Sequence, residues 1–186
     1  MLEQLHGKEL SFNNLVDLDA AQQLIQEFDA PAAAVIKHTN PCGCAEQETP
    51  AEAFRRALEC DPVSAFGAVL AFNREVDAEA ARAVSELFVE AVAAPGYSAE
   101  ALNVLTQKKN IRLLKIGGAG SDLVVRSVSG GFLIQTQDKP APGEEGPKVV
   151  TERPPTDDER KALEFAWKVA KHVKSNAIVY ARPGQT

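Results

Sequence analysis

Four short apolar runs punctuate this 186-residue chain and leave few architectures open to it: Ala32-Ala33-Ala34-Val35-Ile36, Gly67 to Phe72, Ala91-Val92-Ala93-Ala94 and Ile111 to Ile116. The first two read as strands covered on both faces, and the other two, the last of which includes Arg112 and Lys115, as further short strands. Helical spacing fills the gaps between them. Leu18, Ala21, Leu24, Ile25 and Phe28 follow Asp17, which reads as a helix cap. Thr49-Pro50-Ala51-Glu52 is a capping box with proline at the first helical position. The helix it opens turns Ala53, Phe54, Ala57 and Leu58 inward and stops before Asp61-Pro62. Ala80, Ala81, Val84, Leu87 and Phe88 share one face of a helix from about Asp77 to Phe88, and another covers Ala99 to Leu105. Strands alternating with helices at this rhythm predict a layered α/β sheet, largely parallel.

The texture changes after Ile116. Gly117-Gly118-Ala119-Gly120 lacks the lysine and helix start of a phosphate-binding loop and reads as a plain turn. Leu123 to Val128 and Phe132 to Gln135 predict a small ribbon, and Asp138 to Lys148 has the proline, glycine and charge content of a linker. Thr156-Asp157-Asp158-Glu159 is a second capping box, opening a helix with Leu163, Ala166, Trp167 and Ala170 on its inward face. Trp167 is assigned to the core. Ala177-Ile178-Val179-Tyr180-Ala181 then reads as a strand. A buried-type strand so close to Thr186 leads us to expect that the chain is a piece of a longer protein.

Charge and cysteine usage narrow the partners. A net charge of -6 argues against a duplex nucleic acid held by phosphate contacts. No run of 18 apolar residues exists to span a membrane as a helix, and the Met1-Leu2-Glu3-Gln4 start is no secretory signal. Cys42, Cys44 and Cys60 make an odd count, which fits reduced thiols and a cytoplasmic location. His6, His172 and Lys108-Lys109-Asn110 read as surface.

The densest polar cluster, Lys37-His38-Thr39-Asn40-Pro41-Cys42-Gly43, follows the first apolar strand directly. In parallel α/β sheets ligands bind beyond the carboxyl ends of strands, so Lys37 and His38 stand where chemistry is usually placed. Histidine supplies a base near neutral pH, and a neighbouring ammonium stabilises charge growing on an oxygen. The competing reading is a solvated loop turned by Asn40-Pro41. Pro41-Cys42-Gly43-Cys44 invites a zinc reading, but zinc deaminases use Pro-Cys-x-x-Cys with an upstream His-x-Glu, and here His38 is followed by Thr39-Asn40. Two thiols one residue apart need two further ligands, which neither Cys60 nor His172 is patterned to supply. Asp61-Pro62-Val63-Ser64-Ala65-Phe66-Gly67 lies between a helix and a strand, where glycine admits a ligand close to backbone or simply serves the turn. Asn14, Glu90 and Asn176 are unremarkable when taken singly.

Taken together and in order, the stretches Leu10-Ser11-Phe12-Asn13-Asn14-Leu15, Lys37 to Gly43, Asp61 to Gly67, Val125 to Gly131, Phe165 to Lys171 and Lys174 to Ala181 carry a more specific signal than any one of them. With them the chain resembles the formyltransferase half of the family that joins AICAR transformylase to IMP cyclohydrolase. The resemblance implies a cytidine-deaminase-like α-β-α sandwich without zinc: a first unit over residues 1–137, a linker over 138–148 and the start of a second unit over 149–186. It also implies a purine-biosynthesis reaction, formyl transfer from 10-formyltetrahydrofolate to the 5-amino group of AICAR, giving FAICAR. Residues matching the family's catalytic pair are Lys37, for the oxyanion, and His38, for the amine proton. Those matching its AICAR pocket are Asn14, Phe66, Gly67, Glu90 and Asn176. Phe66-Gly67 would approach the heterocycle, Glu90 its polar edge and Asn176 the reacting amine.

Departures from the family pattern set further expectations. The cyclohydrolase hydrolase domain, an upstream arginine-tyrosine segment and the downstream folate site have no counterpart in these 186 residues. The isolated chain is therefore expected to be inactive or nearly so. Homodimerisation is expected of the complete family member. Two rivals stand beside this reading: a zinc-dependent nucleoside or base deaminase on the same fold, and a non-catalytic nucleotide-binding or dimerisation module.

Overall fold

The computed structural model describes residues 2–117, 122–139 and 147–186. Most of the predicted glycine turn (118–120) and the middle of the predicted linker (140–146) lie outside the described residues. The chain divides into two compact units, residues 1–117 with 156–186, and residues 118–155.

In the first unit the elements run β1 (Leu2–His6), α1 (Phe12–Ile25), β2 (Ala32–Lys37), β3 (Asn40–Glu46), α2 (Pro50–Cys60), β4 (Ala68–Phe72), α3 (Ala78–Ser85), β5 (Val89–Ala94), α4 (Ala99–Leu105) and β6 (Arg112–Ile116). The four apolar runs become β2, β4, β5 and β6 and form the centre of a sheet ordered β1-β6-β5-β4-β2-β3. Each central strand sends alternate residues to opposite layers. Ala33, Val35, Leu70, Phe72, Val92 and Leu113 meet Phe54, Ala57, Ala81, Val84 and Leu105 of α2, α3 and α4. On the other face Ala34, Ile36, Val69, Ala71, Ala93 and Leu114 meet Leu18, Ala21, Leu24 and Ile25 of α1. That arrangement is the expected α-β-α sandwich.

The sheet is mixed rather than largely parallel. Only β4, β5 and β6 run parallel, through the α3 and α4 crossovers. Strand β2 is antiparallel to both β3 and β4, and β1 is antiparallel to β6. For β2 and β3 the reason is local: His38 and Thr39 alone connect them, and two residues are far too few for a parallel crossover. Neither outer strand was legible. Strand β1 is a largely exposed edge with no apolar face of its own, and β3 carries a proline and two cysteines that read as a loop.

Helix α1 starts at a Ser11 cap rather than at Asp17. The Ser11 hydroxyl accepts from the Asn14 amide, and Asn14 Oδ1 accepts from the Ser11 amide, both at 3.1 Å. Helix α3 stops at Ser85, which leaves Leu87 and Phe88 in the connection to β5.

The last helix, α5 (Asp157–Ala170), joins this unit on the α1 side, with the predicted capping box at Thr156. Its buried residues are Phe165 and Val169, and the Phe165 ring lies 5.1 Å from that of Phe28. Trp167 and Leu163 point away from this contact and are exposed, which corrects their assignment to the inward face. The apolar residues of α5 cover more than one side of the helix, and the sheet takes only one of them. Residues 177–181 pair with no strand; Val179 and Ala181 pack against the α1-side core, whereas Ile178 and Tyr180 are exposed. His172 is not a free surface residue either, because its Nε2 lies 3.0 Å from Glu27 Oε1. His6 Nε2 lies 3.3 Å from the Lys108 carbonyl oxygen, and Lys108 Nζ donates to the Leu87 carbonyl.

The second unit contains the predicted ribbon, β7 (Leu123–Val128) paired antiparallel with β8 (Gly131–Thr136). No helix among the described residues is long and apolar enough to cross a membrane.

Candidate functional site

Antiparallel placement of β2 decides what surrounds Lys37 and His38. Because β2 runs against β4, its carboxyl end meets the amino ends of β4, β5 and β6, as the register Ile36 to Val69, Ala68 to Val89 and Ala91 to Arg112 records. The cluster therefore lies beyond the amino ends of the parallel strands. The rule of carboxyl ends, which singled out Lys37 and His38, holds here for β2 alone.

Lys37 closes the β2–β3 hairpin opposite Asn40, and its Nζ donates to the Phe66 carbonyl at 2.7 Å. An ammonium has three donors, and that bond uses one. His38 and Thr39 form the two-residue turn, with φ of 53° and 64°. Both angles lie in the left-handed region, which histidine visits more readily than most residues with a side chain but which a β-branched threonine rarely adopts. The turn carries the exposed His38 side chain out past the end of the sheet.

Three contacts hold the turn. Asp17 Oδ1 on α1 accepts from the Thr39 amide at 2.7 Å. The Lys174 amide donates to Asn40 Oδ1 at 3.1 Å, and Lys174 Nζ donates to the His38 carbonyl at 3.3 Å. Asn176, two residues further on, is thereby tethered near the turn, with its Oδ1 accepting from the Ser175 hydroxyl.

Phe66 and Gly67 immediately precede β4. Gly67 has a φ of 73°, and its amide donates to the Phe88 carbonyl at 2.8 Å, while the Phe66 and Phe88 rings lie 5.1 Å apart. The exposed Phe66 ring thus offers a flat apolar surface beside Lys37. Glu90 lies in β5 and is held by Arg112, whose Nη1 donates to Glu90 Oε2 at 2.6 Å. Arg112 Nε also donates to the Glu9 carbonyl. Asn14 sits in the first turn of α1, one turn before Asp17, with Oδ1 engaged by Ser11. Lys37, His38, Phe66, Gly67 and Glu90 therefore share one end of the sheet, and Asn14 and Asn176 are reached through α1 and Lys174. Sequence reasoning gave Asp17, Phe88, Arg112 and Lys174 no part in the site: Asp17 read as a helix cap, Phe88 as the inward face of a helix and Lys174 as one end of a matching stretch, and no local signal marks Arg112.

The cysteines are separated by a bulge. Val35 pairs with Gly43 but Ile36 pairs with Pro41, so Cys42 is the extra residue in β3. As a result Cys42 packs on the α2 side of the sheet and Cys44 on the α1 side. Burial, helped by the nearby Asp61 carboxylate, raises the Cys42 thiol above its ordinary pKa, and burial raises Cys44 further. Neither is a ready thiolate. Ser64, through hydrogen bonds to the carboxylate, holds Asp61 below the usual range, with a smaller contribution from Lys37. No group of three potential metal ligands occurs among the described residues. A shallow cleft lined by Gln23, Lys171, His172 and Lys174 opens between α1 and the end of α5, and of the contacts at the turn it shares only Lys174.

A three-layer α/β unit with a lysine-histidine turn at the end of its central sheet is thus the class that fold and site define. The family model described as the AICARFT/IMPCHase bienzyme matches residues 1–186, and the chain belongs to that family. It is 50% identical over 188 residues to the bifunctional purine biosynthesis protein PurH of Desulfitobacterium hafniense (strain DSM 10664 / DCB-2), covering 99% of this chain and 36% of that protein. To PurH of Sorangium cellulosum it is 52% identical over 185 residues, covering 97% of this chain and 35% of that protein. To PurH of Ruegeria sp. (strain TM1040) it is 51% identical over 191 residues, covering 99% and 36%. The chain spans about a third of the length of the curated relatives it matches.

Proposed function

We propose that this chain carries the amine-activating part of an AICAR transformylase. In the reaction the 5-amino nitrogen of AICAR attacks the formyl carbon of 10-formyltetrahydrofolate, and the carbonyl becomes an oxyanion. Collapse of that tetrahedral intermediate breaks the bond to N10 and gives FAICAR and tetrahydrofolate. His38 takes the amine proton and returns it to the departing N10, and Lys37 Nζ stabilises the oxyanion. The amine is a poor nucleophile because the carboxamide-bearing ring withdraws its lone pair, so a positioned base contributes about 10²- to 10⁴-fold.

The observation that supports this reading most is the left-handed turn itself. Non-glycine residues held at positive φ cluster at sites where geometry serves chemistry. This one carries an exposed imidazole next to an ammonium fixed on the Phe66 carbonyl. In the proposal the heterocycle lies against Phe66 and Gly67, Glu90 accepts from its polar edge, Asn176 faces the reacting amine and Asn14 completes the pocket. The folate co-substrate, a homodimer with composite sites, a cytoplasmic location and the division of the chain at 137 and 149 belong to the same proposal and rest on the resemblance. A zinc deaminase is disfavoured by the bulge, which puts Cys42 and Cys44 on opposite faces. Calorimetric titration of AICAR into the chain and into its Lys37→Ala/His38→Ala variant tests the placement. Saturable binding weakened at least tenfold by the double change is expected, and binding that the change leaves untouched refutes it.

A further inference from the structure

Two-residue hairpin turns with both φ values positive are normally built from Asn-Gly, Asp-Gly or Gly-Gly. Here the two positions hold His38 and Thr39, and threonine, branched at Cβ, is among the side chains least suited to a φ of 64°. Histidine tolerates positive φ, and the Thr39 hydroxyl donates to the His38 carbonyl within the turn at 2.6 Å, so the unfavoured element is the Thr39 backbone. A contact to that backbone from outside the hairpin would hold it in place.

The structure assigns this task to Asp17, as the positioning residue that fixes the His38-Thr39 turn and, through it, the His38 imidazole. The inference rests on the formyl-transfer reading, because His38 is the base in that reaction. Asp17 Oδ1 accepts the Thr39 amide at 2.7 Å, within the range of a hydrogen bond assisted by charge. The carboxylate comes from the second turn of α1, an element anchored in the core by Leu18, Ala21, Leu24 and Ile25, so its position is set by the sandwich and not by the hairpin. On the opposite side Lys174 reaches the His38 carbonyl and the Asn40 side chain. The turn is thus held between α1 and the segment after α5, and Asp17 supplies the only one of these contacts that engages the Thr39 backbone. Asp17 does not serve α1 itself: the helix is capped by Ser11, and aspartate within a helix is a poorer helix former than alanine.

The test compares Asp17→Ala, Asp17→Asn and Asp17→Ala/Thr39→Gly with the parent chain. Proton NMR would follow the His38 ring, assigned with His38→Ala, and the exchange rate of the backbone amide at position 39. Asparagine keeps the Oδ1 acceptor, and glycine at position 39 adopts positive φ without help. Asp17→Ala is expected to speed exchange at that amide at least tenfold and to move the His38 ring signal towards its random-coil position. Asp17→Asn is expected to restore both readouts. Asp17→Ala/Thr39→Gly is expected to restore the His38 signal alone, an outcome that a merely structural role for Asp17 would not produce. Equal exchange in parent and Asp17→Ala, or a His38 signal that none of the changes moves, overturns the inference. AICAR added to each sample separates the two proposals. Failure of AICAR to shift His38 in the parent counts against the formyl-transfer reading, whereas a shift kept unchanged in Asp17→Ala counts against Asp17.

Discussion

Gly43 sits next to the bulge that brings β3 into the turn, and replacing it with alanine is a severe test of how tightly that bulge is packed. A Cβ at Gly43 would lie 1.9 Å from the Ala57 carbonyl oxygen and 3.0 Å from Cys60 Cβ. Real Cβ atoms essentially never approach another atom closer than 3.0 Å, so strand and helix must separate by about 1.1 Å. The obstacle is a backbone carbonyl, which cannot rotate away as a side chain can. Helix α2 buries Ala51, Ala53, Phe54 and Ala57, and a shift of that size loosens all of them. Overpacking of this kind costs about 1–3 kcal/mol, and an unyielding backbone obstacle puts Gly43→Ala near the upper end. With a urea m-value of about 2 kcal/mol/M, the midpoint should fall by about 1.5 M. The matched control is Gly131→Ala in the ribbon, where nothing lies within 4 Å, and its effect should stay within about 0.5 kcal/mol. A Gly43→Ala chain as stable as the parent would refute the packing at the bulge, and with it the separation of the two cysteines.

Other outcomes follow from the same structure. Phe165→Ala should cost about 3–5 kcal/mol in urea unfolding because the ring is buried against Phe28, whereas Trp167→Ala should cost under about 0.5 kcal/mol. The intrinsic fluorescence of Trp167, the chain's single tryptophan, should be water-like and open to iodide quenching. In the native chain a disulfide reagent should label exposed Cys60 rapidly, Cys42 slowly and Cys44 only on unfolding; fast labelling of Cys44 would contradict its burial. Burial works against ionisation of Glu27, but the hydrogen bonds from Lys171 and His172 outweigh it and hold the carboxyl below the usual range. A lowered folded-state pKa adds stability above the unfolded-state value and loses it as pH falls through the folded one. Glu27→Gln should therefore destabilise the chain near neutral pH, and its deficit should shrink below about pH 4. A deficit that grows on acidification would contradict that sign.

Much of the sheet was legible because its central strands are covered on both faces, and continuous apolar runs announce that directly. Strand β1 was not, since an exposed edge strand such as Leu2-Glu3-Gln4-Leu5-His6 carries no burial pattern. Strand β3 was hidden by its own chemistry: Pro41 and the cysteines drew a loop or metal reading, and no local pattern marks Cys42 as a bulge. Trp167 was misplaced because the apolar positions of α5 are too many for one face, and only packing against the α1-side core, with the Phe165 ring on Phe28, selects Phe165 and Val169. Within the candidate site Lys37, His38, Phe66 and Gly67 stood out as dense, unusual local sequence. Asp17, Arg112 and Lys174 act across long sequence separations, so only the fold brings them to the turn and to Glu90.

The central claim is that the Lys37-His38 turn receives the amine of AICAR. A crystal structure of the chain grown with AICAR tests it most directly. The heterocycle should lie against Phe66 and Gly67, with the 5-amino nitrogen within hydrogen-bond reach of the His38 imidazole, about 3 Å. AICAR ordered elsewhere on the chain, with the turn unchanged and its imidazole facing solvent, would contradict it.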